Sequence, residues 1–398
     1  MHVSSLFKHI FLKLGWLVAT GATVLAAGTA HAQAVQGVTD SEIVLGSHQD
    51  LSGPLASLGA PFRDGLILGA EEINAAGGIH GRKVRVVVED NGYDPKKAVL
   101  ATQKLLTQDK VFAMIGTLGT ATSTASMPLT LDRGVPFLFP GAASESTYQP
   151  HHPLKFALTT PYGPQVGAAI KHAYEKLGKR RYGILYQDDE SGQSVLRAVE
   201  EHLKVHGLSL VERTSYKRGE IDFSTQIARL KAANVDVVML MGNTREAASA
   251  KTETKKQSWP VDMMAGSGAS SAATIKLGGE AVEGLYVTGQ WMNSAQEVTP
   301  ALQAIRDRYK ARFGQDMQDG VNQTYVSMML FAEGARNAGR NLTPQTLQQG
   351  LERVKNFKTV FETVPISYAP GNHLPPMEAL IMQVRGGKWV LVSSAAGN

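Results

Sequence analysis

The chain has 398 residues, 43% of them hydrophobic and 19% charged, with no cysteine and a formal net charge of +5. The missing cysteines exclude disulfides, thiolate catalysis and Cys-ligated metals, and the length is ample for two domains. A small positive balance spread over scattered basic residues reads as a solvated mixed-charge surface, not a nucleic-acid-binding one.

Residues 1–32 read as an export signal. His2, Lys8, His9 and Lys13 make a weakly basic start, Leu14 to Ala27 is a short apolar core, and Ala30-His31-Ala32 is a small-x-small cleavage site. Cleavage is expected after Ala32. With no cysteine beyond it, a lipid-anchored mature form is not expected, and no later run is apolar for long enough to span a bilayer.

Strand and helix patterns then alternate. Glu42 begins a buried strand that runs into a polar Gly/Pro loop. Phe62, Leu66, Ala70 and Ile73 follow at helical spacing, and Gly77-Gly78 ends that helix. Val84 to Val88 is a strand. Asp94-Pro95 is an N-cap with proline at the first helical position, and Ala98, Thr102, Leu105 and Leu106 form one helix face. Val111 to Ile115 and Val135 to Phe139 are further strands. The pattern restarts after Thr160 with a stripe of Val166, Ala169, Ile170, Ala173 and Leu177, then a strand from Tyr182 to Tyr186 and a helix face of Leu196, Val199 and Leu203. Phe223, Ile227 and Leu230 form another face before the strand Val235 to Met241, and Met263 to Ala265 and Leu285 to Thr288 are short strands. Thr299-Pro300 and Thr343-Pro344 are cap-plus-proline starts. Two last strands, from Ala379 to Val392, meet across Arg385-Gly386-Gly387-Lys388, a hairpin signal. Alternating β and α elements over this length imply an α/β fold of two doubly wound lobes, parallel sheets covered by helices on both faces.

Ligands of such sheets bind at the carboxyl ends of the strands, so the loops there are the candidate sites. Gly116-Thr117-Leu118-Gly119 leads into Thr120-Ala121-Thr122-Ser123-Thr124 at a helix start, where backbone N–H groups and the helix dipole favour an anion such as a carboxylate. Gly141-Ala142-Ala143-Ser144 is a second small-residue loop that lets backbone approach a ligand. Asp188-Asp189-Glu190 follows a strand and is either a ligand or cation contact or a solvated loop. Trp291 is either a lobe-packing residue or a stacking platform. His202 and His206 sit one helical turn apart but no carboxylate completes a metal site, and they read as exposed. No G-x-S-x-G elbow, H-E-x-x-H, P-loop or complete G-x-G-x-x-G is found, so neither catalytic residues nor a cofactor is expected.

The segments IVLGSHQDLSGPLASLG, GAEEINAAGGIHGRKV, EDNGYDPKKA, VFAMIGTLGTATS, GVPFLFPGAAS, GILYQDDESG, DFSTQIARLKAANVDVV, AVEGLYVT and GGKWV together resemble the periplasmic solute-binding proteins of ABC transporters, in the branch related to leucine/isoleucine/valine-binding protein. The resemblance covers nearly the whole mature chain. It implies the type I periplasmic binding fold: two Rossmann-like lobes joined by three crossovers near Thr160, Gly289 and Ile366, closing over a ligand. The lobes would be residues 40–159 plus 289–365 and 160–288 plus 366–398. It further implies a monomer in the periplasm that binds no nucleic acid, is no enzyme, and delivers a small carboxylated solute to a membrane permease. A ligand-sensing module for a sensor kinase or chemoreceptor is the alternative, and an exported enzyme a weaker one.

By the resemblance, Thr120 holds a ligand carboxylate beside the Gly141 to Ser144 loop, and Ser191, Asn243 and Ser267 contribute from the second lobe. Several positions depart from the amino-acid binders. Ser267 stands where they carry the acid that grips an α-ammonium, and Leu58, Ser191 and Asn243 stand where they carry aromatics. A buried ammonium without a carboxylate is costly. Either Asp188, Asp189 or Glu190 supplies the charge, or the solute is an aromatic or aliphatic carboxylate without an ammonium.

Overall fold

The computed structural model describes residues 35–290, 298–361 and 364–396. The expected signal segment and Trp291 lie outside the described residues.

Two sheets carry the fold. The first has five parallel strands in the order β2-β1-β3-β4-β5: β1 Glu42–Gln49, β2 Lys83–Asp90, β3 Ala113–Ile115, β4 Phe137–Leu138 and β5 Lys155–Phe156. The second has the order β12-β11-β10-β9-β8-β6-β7: β6 Tyr182–Gln187, β7 Leu210–Tyr216, β8 Val237–Leu240, β9 Asp262–Ala265, β10 Tyr286–Gly289, β11 Glu378–Arg385 and β12 Lys388–Ala396. From β6 to β10 it repeats the strand order of the first sheet, all parallel. The β11–β12 hairpin adds antiparallel to β10, and Gly386 and Gly387 take the positive φ its turn requires.

Alternate residues of the inner strands enter different cores, which is why those strands read as continuous apolar runs. In the first sheet Ile43, Leu45, Ala113, Ile115 and Leu138 pack against helices α1 (Ala56–Ala75), α9 (Pro300–Phe313), α10 (Val321–Ala338) and α11 (Pro344–Glu352). Val44, Met114 and Phe137 point the other way, onto α2 (Pro95–Thr107) and α3 (Thr120–Leu131). In the second sheet Val237 and Met239 face α4 (Tyr162–Glu175) and α5 (Glu190–Val205), while Val238 and Leu240 face α6 (Ser224–Ala232) and α7 (Thr244–Lys256). Each of these strand residues is buried, a contribution of about 1.5–3 kcal/mol per large side chain.

The expected caps form. Asp94 accepts the N–H groups of Lys96 and Lys97, Thr299 that of Leu302, and Thr343 that of Thr346. Several elements were not legible, among them β7, β5 and α7. Strand β7 is a sheet edge with one face in water, so its exposed residues alternate with buried or half-buried ones and it shows no apolar run. Strand β5 is two residues long. Helix α7 lacks an apolar stripe and packs mainly through small residues, Ala247, Ala248 and Ala250.

The chain passes between the sheets at 157–161, after Gly289, and before Glu378. Ile366 and Tyr368 still pack in the first lobe's core, and the His373 ring sits on Phe156 with centroids 3.7 Å apart. We therefore propose a third crossover some ten residues later than the expected Ile366, between His373 and Glu378.

Candidate functional site

Because both sheets turn their carboxyl edges toward each other, the loops that follow the strands enclose one cleft, with a cavity of about 120 Å³. In the first lobe it is lined after β1 by Leu55, Leu58 and Phe62, after β3 by Leu118, Gly119 and Thr120, and after β4 by Gly141 and Ala143. In the second lobe Gln187 ends β6 and Ser191 follows it, Gly242 and Asn243 follow β8, and Ser267 follows β9. The loops after β1 and β3, and after β6 and β8, flank the switch points of the two doubly wound sheets, where strand order reverses.

Nine of the expected site residues line the cleft: Leu58, Leu118, Gly119, Thr120, Gly141, Ala143, Ser191, Asn243 and Ser267. Two do not. Ala142 is buried beneath its loop, and the Ser144 hydroxyl turns to the Glu190 carboxylate at 2.7 Å. The resemblance also left residues out. Tyr93, Tyr162, Tyr216, Gln187, Gln290, Asn322 and Gln323 all line the cleft. Tyr93 follows a strand and was legible by position alone; Asn322 and Gln323 open α10, which sequence order places far from the other loops.

The polar walls form a connected network. Thr120 Oγ1 accepts the Ala143 N–H at 3.3 Å and lies 3.1 Å from the Tyr162 hydroxyl, which is 2.7 Å from Ser191 Oγ. Gln165 Oε1 accepts from the Ser267 N–H and the Thr288 hydroxyl, fixing the β9 loop. Gln290 accepts the Thr160 N–H at 2.8 Å and donates to the Leu158 carbonyl, tying two crossovers together. Burial pushes the phenols of Tyr93, Tyr162 and Tyr216 up, so all three stay protonated. Opposite this wall Leu55, Leu58, Phe62 and Leu118 pack with Tyr93 as an apolar patch.

The charges are sparse. Among the described lining residues there is no lysine or arginine, and the one carboxylate is Asp319, whose Oδ2 accepts the Ala272 N–H across the lobes at 2.7 Å. Asp188, Asp189 and Glu190 do not line the cleft. Asp189 caps α5 through Ser191 and Gly192 and pairs with Arg218 at 2.7 Å, and Glu190 meets Ser144. Glu246 lies behind the wall, held by the N–H groups of Asn243 and Glu246 itself, and burial raises its pKa. Helix N-termini take the place of cationic side chains. Helices α3, α7 and α10 begin at Gly119, Asn243 and Gly320, all cleft residues; no side chain caps α3, whereas Glu246 takes the Asn243 N–H at the start of α7 and Asn322 Oδ1 accepts the Gln323 N–H in the first turn of α10.

One buried constellation imitates a nucleophilic site. His48 Nε2 lies 2.9 Å from Ser126 Oγ, and His48 Nδ1 lies 2.8 Å from Asn91 Nδ2. Asn91 Oδ1 accepts the Tyr93 N–H, so its amide nitrogen must donate to Nδ1. The proton of His48 is thereby on Nε2, pointing at the serine, which is the wrong polarity for a general base. All three side chains are fully buried. No group of three metal-ligating side chains occurs among the described residues.

Comparison with known proteins agrees with this geometry. The chain is 28% identical over 288 residues to the Leu/Ile/Val/Thr-binding protein of Salmonella typhimurium, covering 72% of this chain and 78% of the relative. The branched-chain amino acid transporter substrate-binding protein of Streptococcus pneumoniae, solved with isoleucine, superposes with a TM-score of 0.76 at 23% identity, covering 89% of this chain and 99% of the other. A solute-binding protein of an ABC transporter from R. palustris, solved with benzoate, gives 0.78 at 18% identity, covering 90% and 97%. The family model for periplasmic binding proteins matches residues 42–388, and the chain belongs to that family.

Proposed function

We propose that this protein is the exported solute receptor of an ABC importer, capturing a small carboxylated molecule between its lobes and presenting the closed form to a membrane permease. The observation that carries the reading is the convergence of three helix starts, at Gly119, Asn243 and Gly320, that of α3 uncapped, on a cleft whose described lining contains no cationic side chain. Free N–H groups and aligned dipoles there favour an anion. The apolar patch from Leu55 to Leu118 suits a hydrocarbon body. Of the two solute classes, a carboxylate without an ammonium fits better, since Asp319 is already engaged and Ser267 brings no charge. The benzoate complex of one relative is in keeping with this, the isoleucine complex of another less so. The receptor catalyses no reaction; closure alone excludes water and strengthens the polar contacts inside.

A thermal-shift panel of amino acids, aromatic acids and aliphatic acids, each beside its neutral methyl ester, tests this. A binder raises the melting temperature in proportion to the logarithm of its concentration. Acids are expected to act and esters not. Esters acting as strongly as acids would defeat the anion reading, and amino acids acting alone would defeat the preference over ammonium-bearing solutes.

A further inference from the structure

A carboxylate at the helix N-termini and a hydrocarbon body on the apolar patch leave one part of the cleft without a role. Gln187 ends β6, lines the cleft and is only 5% exposed. Its amide nitrogen donates to Asp189 Oδ2 at 2.5 Å and to the Tyr93 hydroxyl at 3.3 Å. The amide cannot flip, because that would set Oε1 against the Asp189 carboxylate. Asp189 cannot turn either: the N–H groups of Ser191 and Gly192 and the Arg218 guanidinium hold both its oxygens. Gln187 Oε1 is therefore a fixed acceptor, and it is buried with no hydrogen-bond partner in the protein.

Tyr93 comes from the other lobe. Its oxygen accepts from Gln187, and its phenol stays protonated, so its O–H remains to be given. One cleft thus offers an acceptor from one lobe and a donor from the other, side by side. A hydroxyl satisfies both: it donates to Gln187 Oε1 and its lone pair accepts from Tyr93. A second carboxylate would be repelled by Oε1. An ammonium has no lone pair for Tyr93, and a hydrocarbon leaves both groups unmet.

We infer that the solute carries a hydroxyl in addition to its carboxylate, and that Gln187, with Tyr93, selects for it; this rests on the carboxylate reading and narrows it. Sites built to bond a hydroxyl discriminate steeply against the analogue that lacks it.

Calorimetry on the full mature chain tests this with acids paired by one hydroxyl: the 2-, 3- and 4-hydroxybenzoates against benzoate, and 2-hydroxy-4-methylpentanoate against 4-methylpentanoate, with leucine as the ammonium arm. One hydroxylated member is expected to bind about ten-fold or more tighter than its parent. In Gln187→Met that ratio should fall to within about two-fold. Tyr93→Phe should lower the ratio in the same way and serves if the first variant folds poorly. Parent acids binding as tightly as every hydroxylated partner would overturn the inference and leave the carboxylate reading standing. Leucine binding tightest would overturn it in favour of an ammonium donor. A ratio unmoved in both variants would remove Gln187 and Tyr93 from the selection. Failure of every acid to bind would defeat the carboxylate reading itself, and this inference with it.

Discussion

Glu190 and Ser144 bridge the two lobes: the serine hydroxyl donates to the carboxylate at 2.7 Å, and Thr124 approaches the same side chain at 3.4 Å. Sequence order puts both residues in strand-end loops, where Ser144 reads as a ligand contact and Glu190 as either a ligand contact or part of a solvated loop. In the structure they engage each other instead. A contact made only when the lobes meet biases the equilibrium toward closure without touching the ligand. Glu190 is exposed, so solvent screens the bond, and its contribution stays within the range of surface ion pairs. Glu190→Gln is expected to raise the dissociation rate about two- to five-fold with the association rate unchanged. Stopped-flow release kinetics measure both, and an unaltered off-rate would mean the pair does not hold the closed form.

Thr120 stands where the Ala143 N–H, the Tyr162 hydroxyl and the uncapped start of α3 meet. Thr120→Ala removes one side-chain oxygen from a buried network and leaves the Ala143 donor without its acceptor. The expected loss in carboxylate affinity is about 1–3 kcal/mol, the scale of a hydrogen bond to a charged group. Calorimetry with the best acid of the panel reads it directly, and full retention of affinity would take Thr120 out of the site.

Two glycines show how tightly the cleft loops are packed against their strands. A Cβ at Gly192 would lie 1.8 Å from the Gln187 carbonyl oxygen, and one at Gly59 would lie 1.8 Å from the Asp50 carbonyl oxygen. Each is in the first turn of the helix that follows the first strand of its sheet, so the close approach is repeated in both lobes. Gly192→Ala and Gly59→Ala should each destabilise the fold by about 1–3 kcal/mol through backbone displacement. Gly163, in the first turn of α4, meets nothing within 4 Å and has no positive φ. Gly163→Ala should be neutral or stabilising by up to about 1 kcal/mol. Urea denaturation of the three variants separates these outcomes. Equal stabilities would mean that the two loops yield freely.

Most of the scaffold was legible because its signals are local. Asp94-Pro95, Thr299-Pro300 and Thr343-Pro344 start helices through their own side chains, and Val237 to Leu240 is apolar throughout because helices cover both faces. The cleft was legible by position where a small-residue loop follows a strand, as at Gly119 and Thr120, and through the family resemblance at Asn243 and Ser267. It was not legible where a side chain's role depends on what lies across the gap. Ser144 and Glu190 neutralise each other's candidacy only because two distant segments meet. Gln187 gains its meaning only from Asp189, Arg218 and Tyr93, which together fix its amide. No periodicity encodes such a relationship, which forms only when the two sheets face each other.

Acid sensitivity follows from His48. Burial lowers its pKa from 6.5 to about 4, and its hydrogen bonds to Asn91 and Ser126 suit the neutral ring. Between those two values the unfolded chain binds a proton that the native state refuses. The stabilisation is therefore complete above pH 6.5 and is lost as pH falls through about 4. The gap corresponds to about 3 kcal/mol. Burial lowers His152, His172 and His373 as well, so they act in the same sense. Glu246, whose pKa is raised, acts in the opposite sense, its stabilisation fading as pH rises through its folded value. Urea midpoints at pH 7.5, 5.5 and 4 should fall steadily in the native sequence. In His48→Gln, whose amide can still accept from Asn91 and donate to Ser126, the fall should be shallower by the share His48 supplies. Equal slopes in the two proteins would mean that His48 takes up its proton without loosening β1, and that the acid loss lies with the other histidines.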